Sequence, residues 1–268
     1  MSKLFWDCHC HTERSACAED VSLEAYRQRA LDNANYVFAI TDHSAHLFYP
    51  PDNRWGFWTD QATEIFEACY DEGIQRCRDY VNWVRASQVN GMLVGVELDC
   101  FEDGRLAFDP DLLSSLDIIV GAVHGHRALK RGAPWEEVVA EFQTRVLRLF
   151  EAGAQVIAHP FREFAQNKRD VPDSLIQWLV NAAADAGAAL ELNCHYQVHD
   201  ADVRMVLRCL ACGVPIAIGT DTHRAREFAD FSYHVDVLRE VGLTPDTWEQ
   251  YLMAAPTSKG IQRVAAEG

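Results

Sequence analysis

The chain has 268 residues, 49% of them hydrophobic, which is enough for one large α/β domain or two small ones. Acidic residues outnumber basic ones by 40 to 24, and the formal net charge is −16. This excess argues against a nucleic-acid-binding surface, which needs clustered Lys and Arg, so we expect no nucleic-acid partner.

The sequence shows neither a targeting signal nor a membrane span. The first residues lack the apolar core of a secretory signal, and no run of about 18 apolar residues predicts a membrane helix. Nine cysteines, an odd number with scattered spacing, favour reduced thiols. We therefore expect a cytoplasmic protein with no membrane partner, and the oligomeric state is left open.

Strand patterns and helix patterns alternate along most of the chain. The predicted strands are Leu4–His9, Tyr36–Thr41, Met92–Leu98, Asp117–Val123, Ala154–Ala158, Ala188–Asn193 and Val214–Gly219. The predicted helices are roughly Leu23–Asn33, Asp60–Ala86, Trp135–Ala152, Asp173–Ala186 and Ala201–Cys212. Short buried strands separated by helices are typical of parallel sheets with crossover helices. Seven strands predict a single α/β domain over residues 1–268, built as a closed or nearly closed barrel.

Two segments differ from this alternation. Residues 44–61 hold two prolines, a glycine and five aromatics, which predicts an irregular aromatic loop beside the site. That loop would either wall the substrate, with Trp55 as a contact, or pack over the barrel rim. Residues 225–268 carry further helical patterns, one of them through Tyr251 and a last short one opened by Thr257, and we interpret them as cladding of the barrel.

Metal-binding or polar residues stand at the carboxyl end of every predicted strand. His9 and His11 lie two residues apart, so an extended strand points both to the same face. The other strand ends carry Asp42 with His43, Glu97, His124, His159, Glu191 with Asn193, and Asp221 with His223. The strand-to-helix loops of α/β barrels converge at this end and hold the chemistry. The sequence therefore predicts one metal site assembled from many strands.

The candidate ligands are too many for a single ion. Zinc takes three or four ligands, whereas this set has eight: His9, His11, His43, Glu97, His124, His159, Asp221 and His223. Eight ligands suit two or three divalent ions, and imidazole with carboxylate favours Zn, Mn or Fe over Mg or Ca. A shared carboxylate such as Glu97 would bridge two ions at the separation used in hydrolysis.

The motifs resemble those of the PHP (polymerase and histidinol phosphatase) family. The matching segments are Asp-x-His-x-His at the start, Ile40-Thr41-Asp42-His43, Gly95-Val96-Glu97, His124, Ala158-His159-Pro160 and Gly219-Thr220-Asp221-Thr222-His223. They follow the family's order across residues 5–224. The resemblance implies a distorted (β/α)7 barrel, a di- or trinuclear metal site and hydrolysis of phosphoesters. The length, the long segment between His43 and Glu97, and Glu191-Leu192-Asn193 look similar to histidinol phosphatases.

One position departs from the family's pattern. Trinuclear members usually carry His six residues after the second His of the opening motif, where this chain has Cys17. A thiolate binds zinc well, so Cys17 would keep a third, zinc-biased site with His43 and His223. Alternatively the third ion is weak or lost, and the sequence leaves both alternatives open.

The expected reaction is hydrolysis of a small-molecule phosphoester by a metal-bridged hydroxide. The candidate catalytic residues are Asp42, which would orient a ligand histidine, and His195 or His223, which would protonate the leaving alcohol. The substrate would be a small phosphorylated molecule, with histidinol phosphate, a nucleotide and a sugar phosphate as candidates. Arginine suits phosphate oxygens, and three arginines closely follow ligand residues: Arg127, Arg162 and Arg224.

Two other functions stay open at this point. An amidohydrolase-like barrel that hydrolyses C–N or lactone bonds also opens with His-x-His and uses a late Asp, although the Thr-Asp-His motif fits PHP better. A metal-binding domain without turnover, acting in a larger assembly, is the second alternative. The complete ligand set argues against it, because decayed sites usually lose ligands.

Overall fold

Backbone hydrogen bonds join seven parallel strands, in chain order, into a nearly closed barrel. The computed structural model describes residues 5–33 and 36–259. The strands are β1 Asp7–Cys10, β2 Phe38–Ile40, β3 Met92–Asp99, β4 Ile118–Ala122, β5 Val156–Ile157, β6 Ala189–Asn193 and β7 Ile216–Gly219. The ends of β1 and β7 meet through Asp221 N, which donates to His9 O at 2.8 Å, and His11 N, which donates to Thr222 O at 3.1 Å. The predicted seven-stranded barrel is confirmed.

Helices follow the strands and cover the outside of the barrel. They are α1 Leu23–Asp32, α2 Ser44–Phe48, α3 Ala62–Ala68, α4 Tyr70–Ser87, α5 Arg127–Lys130, α6 Trp135–Glu151, α7 Arg162–Gln166, α8 Asp173–Ala186, α9 His199–Cys212 and α10 Ser232–Glu240. In α6 the buried residues Val138, Phe142, Val146 and Leu149 recur every three or four positions, which places one apolar stripe against the strands. None of the described helices is long and apolar enough to cross a membrane.

A layer of small and β-branched side chains fills the barrel beneath the strand ends. Its members include Ala39, Leu93, Val120, Ala122, Val156, Ala158, Ala189 and Ala217, all buried. Leu93 lies an even number of residues before Glu97, and Ala122 lies two before His124, so each shares a strand face with a candidate ligand. The ligands therefore stand on an apolar floor inside the barrel.

Residues 44–61 are helical, so the prediction of an irregular loop was wrong. Ser44–Phe48 forms α2, and Pro51–Trp58 forms a 3₁₀ helix that begins with proline, a residue tolerated in a first helical turn. The aromatics pack inward: Phe48 is fully buried and stacks on Phe66 with ring centroids 4.7 Å apart. Burial of these rings outweighed the local proline and glycine signals.

Other boundaries also differ from the predictions. The single helix expected over Asp60–Ala86 is two helices, α3 and α4, with a break at Cys69. A Cβ on Gly73 would lie 2.6 Å from the Phe48 ring, so α4 packs too closely on α2 to continue the line of α3. β1 begins at Asp7 rather than Leu4, which lies outside the described residues.

The C-terminal segment covers the barrel with less helix than expected. Beyond α10, the helix predicted through Tyr251 is a 3₁₀ turn at Trp248–Gln250. Leu252 then bridges to Ile216 of β7, and Trp6 Nε1 donates to Met253 O at 2.5 Å. The last short helix was predicted to open at Thr257, but residues 257–259 are not helical, and its continuation over residues 260–268 lies outside the described part of the chain.

Candidate metal centre

The carboxylate of Glu97, near the end of β3, is the centre of a cluster of imidazoles. The side chain is fully buried, and five histidine nitrogens lie within 3.6 Å of its oxygens. The nitrogens are His43 Nδ1 at 2.6 Å, His159 Nε2 at 2.8 Å, His9 Nε2 and His124 Nε2 at 3.4 Å, and His11 Nε2 at 3.6 Å. Glu97 therefore has the position of a bridging ligand.

Asp221, just after β7, joins the same cluster from the other side. Its Oδ1 lies 2.9 Å from His11 Nε2 and 3.7 Å from His9 Nε2. Five groups of possible ligands share members, and the ligand atoms within each lie within 4.8 Å of one another: His9–Glu97–His159, His9–His11–Asp221, His43–Asp99–His124, His11–His43–His223 and Cys17–His43–His46. The structure thus brings together all eight ligands expected from the strand ends, together with Cys17.

Two of these ligands have backbone conformations that are uncommon outside glycine. The φ angle is 26° at His159 and 53° at Asp221. Each is held by a buried hydrogen bond, since His159 N donates to Glu191 Oε2 at 2.6 Å and Asp221 N donates to His9 O at 2.8 Å. Backbone strain of this kind is kept where the surroundings impose it, and it is concentrated here at the strand ends that carry the site.

Several histidines are held through the ring nitrogen that faces away from the cluster. His9 Nδ1 donates to Glu191 at 2.8 Å, and His124 Nδ1 donates to Asp99 at 2.6 Å. Because these bonds fix the tautomer, each ring presents the lone pair of Nε2 to the centre. These hydrogen bonds from ligand histidines to Asp99 and Glu191 were not predicted from the sequence. The signal for Asp99 was present, because it lies two residues after Glu97 on the same strand face.

Gly219 allows one of these contacts to form. A Cβ on Gly219 would lie 1.8 Å from Glu191 Oε1 and 3.0 Å from His9 Cβ. Only a residue without a side chain leaves space for the Glu191 carboxylate to reach His9. The glycine in the Gly-Thr-Asp-Thr-His segment therefore has a steric role in the site.

Asp42 does not reach the cluster as a catalytic group would. Its carboxylate accepts hydrogen bonds from Thr12 N, Thr12 Oγ1 and Ser15 Oγ, each at 2.7 Å. Ser15 Oγ in turn lies 3.0 Å from His11 Nδ1 and accepts from His43 N at 3.2 Å. Asp42 therefore acts on His11 and His43 only through Ser15, a position that suits the expected role of orienting a ligand histidine rather than direct contact with a substrate.

The carboxylates of the centre stay ionised despite their burial. Burial alone would raise the pKa of Glu97, but the neighbouring His43 and His124 imidazoles hold it well below the ordinary value of 4.5. Burial acts likewise on Asp221, where His9 and His223 keep the pKa well below its usual range. The neighbouring carboxylates of Glu191, Asp221 and Glu97 keep the pKa of His9 well above its ordinary value, although burial opposes this, so a cation that binds there displaces the Nε2 proton and takes its lone pair. The result is a negative, cation-attracting centre.

Other histidines of the cluster are kept neutral by desolvation. Burial holds the pKa of His43 well below 6.5 and lowers the pKa values of His46 and His223 to about 3. Neutral imidazoles keep a free lone pair, which a metal ligand requires.

Cys17 lies beside His223 at the edge of the cluster. Its Sγ is 3.1 Å from His223 Nε2, and it also groups with His43 and His46. His46 was missed in the sequence: its side chain is buried, its Nδ1 accepts from Ala16 N at 3.1 Å, and its Nε2 makes no hydrogen bond to a described residue. Burial and the charges of Asp221 and Glu97 raise the pKa of the Cys17 thiol, so an adjacent cation is needed to ionise it.

The residues present fit divalent metal ions. His9 Nε2, His124 Nε2 and Glu97 Oε2 are buried, face one another and make no hydrogen bond with any described residue. Buried polar atoms are otherwise nearly always paired, so this group indicates a missing positive partner. The combination of imidazoles, carboxylates and one thiol is typical of sites for zinc and other transition metals.

Arg162 and Tyr196 lie together at the mouth of the site. The Arg162 guanidinium lies over the Tyr196 ring at 4.4 Å, and that ring packs edge-on against His159 at 5.3 Å. Arg162 Nε is buried and makes no hydrogen bond with a described residue. His195 stacks on the His223 ring at 4.6 Å, with Nδ1 3.6 Å from Glu227. Arg162 and His195 therefore stay candidates for contact with a substrate.

The other predicted substrate contacts are placed differently. Arg224 pairs with Glu19 and Glu227, so its guanidinium is already engaged in a surface ion pair. Arg127 pairs with Glu102 at 3.1 Å and lines a separate pocket.

Of the two tryptophans, Trp58 rather than Trp55 packs on the ligand residues His43 and His124. Trp55 is 53% exposed and packs on His46 and Trp58 with ring distances of 4.8 and 5.5 Å. Trp58 lies 6.0 Å from the His43 ring and 6.1 Å from the His124 ring. No sequence pattern distinguishes these two tryptophans, which lie three residues apart.

Comparison with known proteins identifies the family. The chain matches the PHP domain over residues 7–195 and therefore belongs to the PHP domain family. The resemblance seen in the motifs is confirmed, and with it the enzyme class, a metal-dependent phosphoesterase.

Individual relatives are distant but extend over most of the chain. A probable phosphatase of Edwardsiella ictaluri is 26% identical over 263 residues, 93% of this chain and 90% of that protein. The DNA polymerase/3'-5' exonuclease PolX of Bacillus subtilis is 23% identical over 90% of this chain, which spans only 38% of PolX. A crystal structure of histidinol phosphate phosphatase from Lactococcus lactis, complexed with zinc, L-histidinol and phosphate, is similar with a TM-score of 0.55 and 16% identity. That likeness covers 90% of this chain and 95% of the other, and it confirms the fold.

Proposed function

We propose that this chain is a phosphomonoesterase that acts on a small organic phosphate. The observation that carries the proposal is the buried Glu97 carboxylate with five imidazole nitrogens within 3.6 Å of its oxygens. The Arg162 guanidinium is near enough to interact with the charge of Glu97. Bound divalent ions supply a hydroxide near neutral pH and neutralise charge on the phosphoryl group.

Three groups of residues would hold three ions. His9, His11, Glu97 and Asp221 would hold one ion, and Glu97, His124 and His159 would hold the second. Cys17, His43 and His223 would hold a third, for which the thiolate favours zinc over manganese. The zinc in the related histidinol phosphate phosphatase structure supports this choice of metal.

The residues at the mouth would bind and protonate the substrate. Arg162 offers a planar guanidinium to the phosphate oxygens, and the Tyr196 ring beneath it restricts its rotation. His195 is half-buried beside His223, where it would donate a proton to the leaving alcohol. His223 is assigned here to metal binding rather than to proton transfer.

The substrate class is supported by the relatives. Histidinol phosphate is one candidate, because the neighbouring crystal structure is of an enzyme named for it, and a nucleotide or sugar phosphate are others. DNA is not a favoured substrate for this acidic chain. All nine cysteines are free, which supports a cytoplasmic location.

Phosphate release by the metal-loaded protein tests the proposal. We expect turnover of p-nitrophenyl phosphate with added Zn or Mn and a loss of at least about 10³-fold in Glu97→Gln, which removes the shared charge. Glu102→Gln, a matched change at the surface, serves as the control. Absence of phosphate release from a broad panel of esters, with bound metal verified by elemental analysis, would refute the proposed function.

A further inference from the structure

A second pocket opens beside the metal centre. Its volume is about 330 Å³, and it lies between the end of the 3₁₀ helix at Trp58 and the short helix α5. Four residues of α5 and its flanks, Gly125, Arg127, Lys130 and Arg131, line one wall. This pocket is distinct from the mouth of the site, which Arg162 and Tyr196 flank.

Trp58 and Gly125 connect the pocket to the ligands. The Trp58 ring packs against His43 and His124 at 6.0 and 6.1 Å. Gly125 directly follows His124, and a Cβ built on it would lie 3.2 Å from Trp58 Cδ1 and 3.8 Å from Lys130 Nζ. The pocket therefore begins one residue beyond a metal ligand, and the Trp58 ring contacts both the pocket and the ligand histidines.

The pocket is cationic in a strongly acidic protein. Three of the five residues from 127 to 131 are basic, against a net charge of −16 for the whole chain. Asp60 is the acidic residue among those that line the pocket. The partners of Arg127 and Arg131 are Glu102 and Glu137, which are 41% and 55% exposed, so water screens these ion pairs.

Lys130 is available for a ligand. Its side chain is exposed, and its ammonium lies within 4.0 Å of no carboxylate of a described residue, although its charge also acts on the buried Glu163. Its Nζ lies next to Gly125, on the side of the pocket nearest the metal centre. An anion in the pocket would gain this charge without first breaking a competing pair.

We propose that this pocket binds a second phosphate group of the substrate, and that the preferred substrates are therefore organic bisphosphates. The inference rests on the proposed function, since it places the reacting phosphate at the metal centre. The second phosphate is held by Lys130 and Arg131, with Arg127 at the edge, and it is not hydrolysed there. Trp58 forms the wall along which the organic linker between the two phosphates passes.

Binding of non-hydrolysable phosphonates tests the inference separately from turnover. Calorimetry on the metal-loaded protein compares alkane-1,n-bisphosphonates of two to six carbons with alkyl monophosphonates of the same length. We expect the best bisphosphonate to bind at least about tenfold more tightly than its matched monophosphonate, the worth of one charge-assisted contact. In Lys130→Ala with Arg131→Ala, this affinity ratio falls to near one.

Arg239→Ala provides the matched control, because it removes one exposed positive charge from the distant helix α10 and should leave the ratio unchanged. Chelation of metal by bisphosphonates would not depend on residues 130 and 131. A ratio near one in the unaltered protein, or a ratio that persists in the double variant, overturns the inference. Turnover of p-nitrophenyl phosphate together with either result would leave the proposed function intact. Phosphonate selectivity that is lost in the double variant, without phosphate release from any ester of the broad panel, would refute the proposed function and leave the pocket as the binding site of the second phosphonate.

Discussion

At the scale of single residues, the partner of each Nδ1 decides what the histidine can do. His9 and His124 are held by Glu191 and Asp99, and His11 lies against Ser15. These bonds orient the rings before any ion arrives, so metal binding does not have to order them. Exposed histidines without such partners would lose side-chain entropy on binding.

We predict that Cys17 ligates the third ion. In the cobalt-substituted protein, a thiolate ligand gives a near-ultraviolet charge-transfer band, and Cys17→Ser should abolish it. Cys17→His restores the residue usual in the family and should bind the ion without the band. Cys69→Ser changes a half-buried thiol between α3 and α4 and is the control. Persistence of the band in Cys17→Ser would contradict the assignment.

We predict that Arg162, and not Arg224, binds the reacting phosphate. Arg162→Ala should raise KM for an aryl phosphate at least about tenfold, because a charge-assisted hydrogen bond to phosphate is lost. Arg224→Ala should change KM by less than about twofold, since its guanidinium is already paired with Glu19 and Glu227 in a solvent-screened ion pair. Steady-state kinetics measures KM for both variants. An equal change of KM in the two variants would argue against Arg162 as the specific phosphate contact.

At the scale of secondary-structure elements, ligands come from the ends of strands that are neighbours in the sheet. β3 supplies Glu97, β4 is followed by His124, and β5 by His159. Parallel strands in register bring these ends to one rim, which is why position at the carboxyl end of a predicted strand was enough to predict the ligands. The helical form of residues 44–61 could not be predicted in this way, because it depends on burial against α3 and α4.

We predict that Gly219→Ala weakens metal binding, because β6 and β7 pack closely at this position. The Gly219→Ala methyl would displace Glu191 from His9, and we expect metal affinity to fall by about 10- to 100-fold, as for other partners of ligand histidines. Gly121→Ala is the control, because its methyl would meet Leu149 and Ala154 at 3.0 and 3.1 Å on the outside of β4. It should lower stability while leaving metal affinity, measured by competition with a chelator, unchanged.

We predict that the buried Asp202 carboxyl, at the contact between α9 and α10, makes the stability of the fold depend on pH. Asp202 is 5% exposed, and burial raises its pKa from 3.8 to about 7, although the hydrogen bond from Tyr233 opposes this. The folded state holds the Asp202 proton more tightly than the unfolded state does. The contribution of this proton to the free energy of unfolding is therefore complete below about pH 4 and is lost as the pH rises to about 7.

Asp202→Asn should therefore become more stable relative to the wild type as the pH rises from about 5 to about 8, by at most about 3 kcal/mol. The asparagine can still accept from Tyr233 but does not ionise. Urea unfolding at both pH values measures the difference. Asp200→Asn, an exposed position on the same helix, should show no such trend. An equal difference for Asp202→Asn at both pH values would rule out this account.

At the scale of the whole molecule, the metal centre joins the two ends of the barrel. His9 and His11 belong to the first strand and its end, whereas Asp221 follows the last strand, 210 residues after His11. An ion shared by these residues would bind only the folded barrel and so stabilise it. The centre is therefore expected to contribute to stability as well as to hydrolysis.

We predict that chelation lowers the melting temperature by at least about 5 °C, since ligand binding to the native state alone raises stability by mass action. Differential scanning calorimetry with and without a chelator measures the shift. Glu97→Gln, which lacks the shared carboxylate charge, should show a smaller shift from a lower starting value. An identical melting temperature with and without metal would show that the ions do not stabilise the barrel.

The sequence by itself determined the barrel and the eight ligands at its strand ends. Each strand is recognisable from its own residues, and a parallel barrel brings the carboxyl ends of all its strands to one rim. Only the tertiary structure decided which side chains support those ligands. Glu191 reaches His9 across 182 positions, and Cys17 reaches His223 across 206. It also selected Trp58 over Trp55 and set the cationic pocket beside His124, since contacts between distant segments depend on packing that no local pattern encodes.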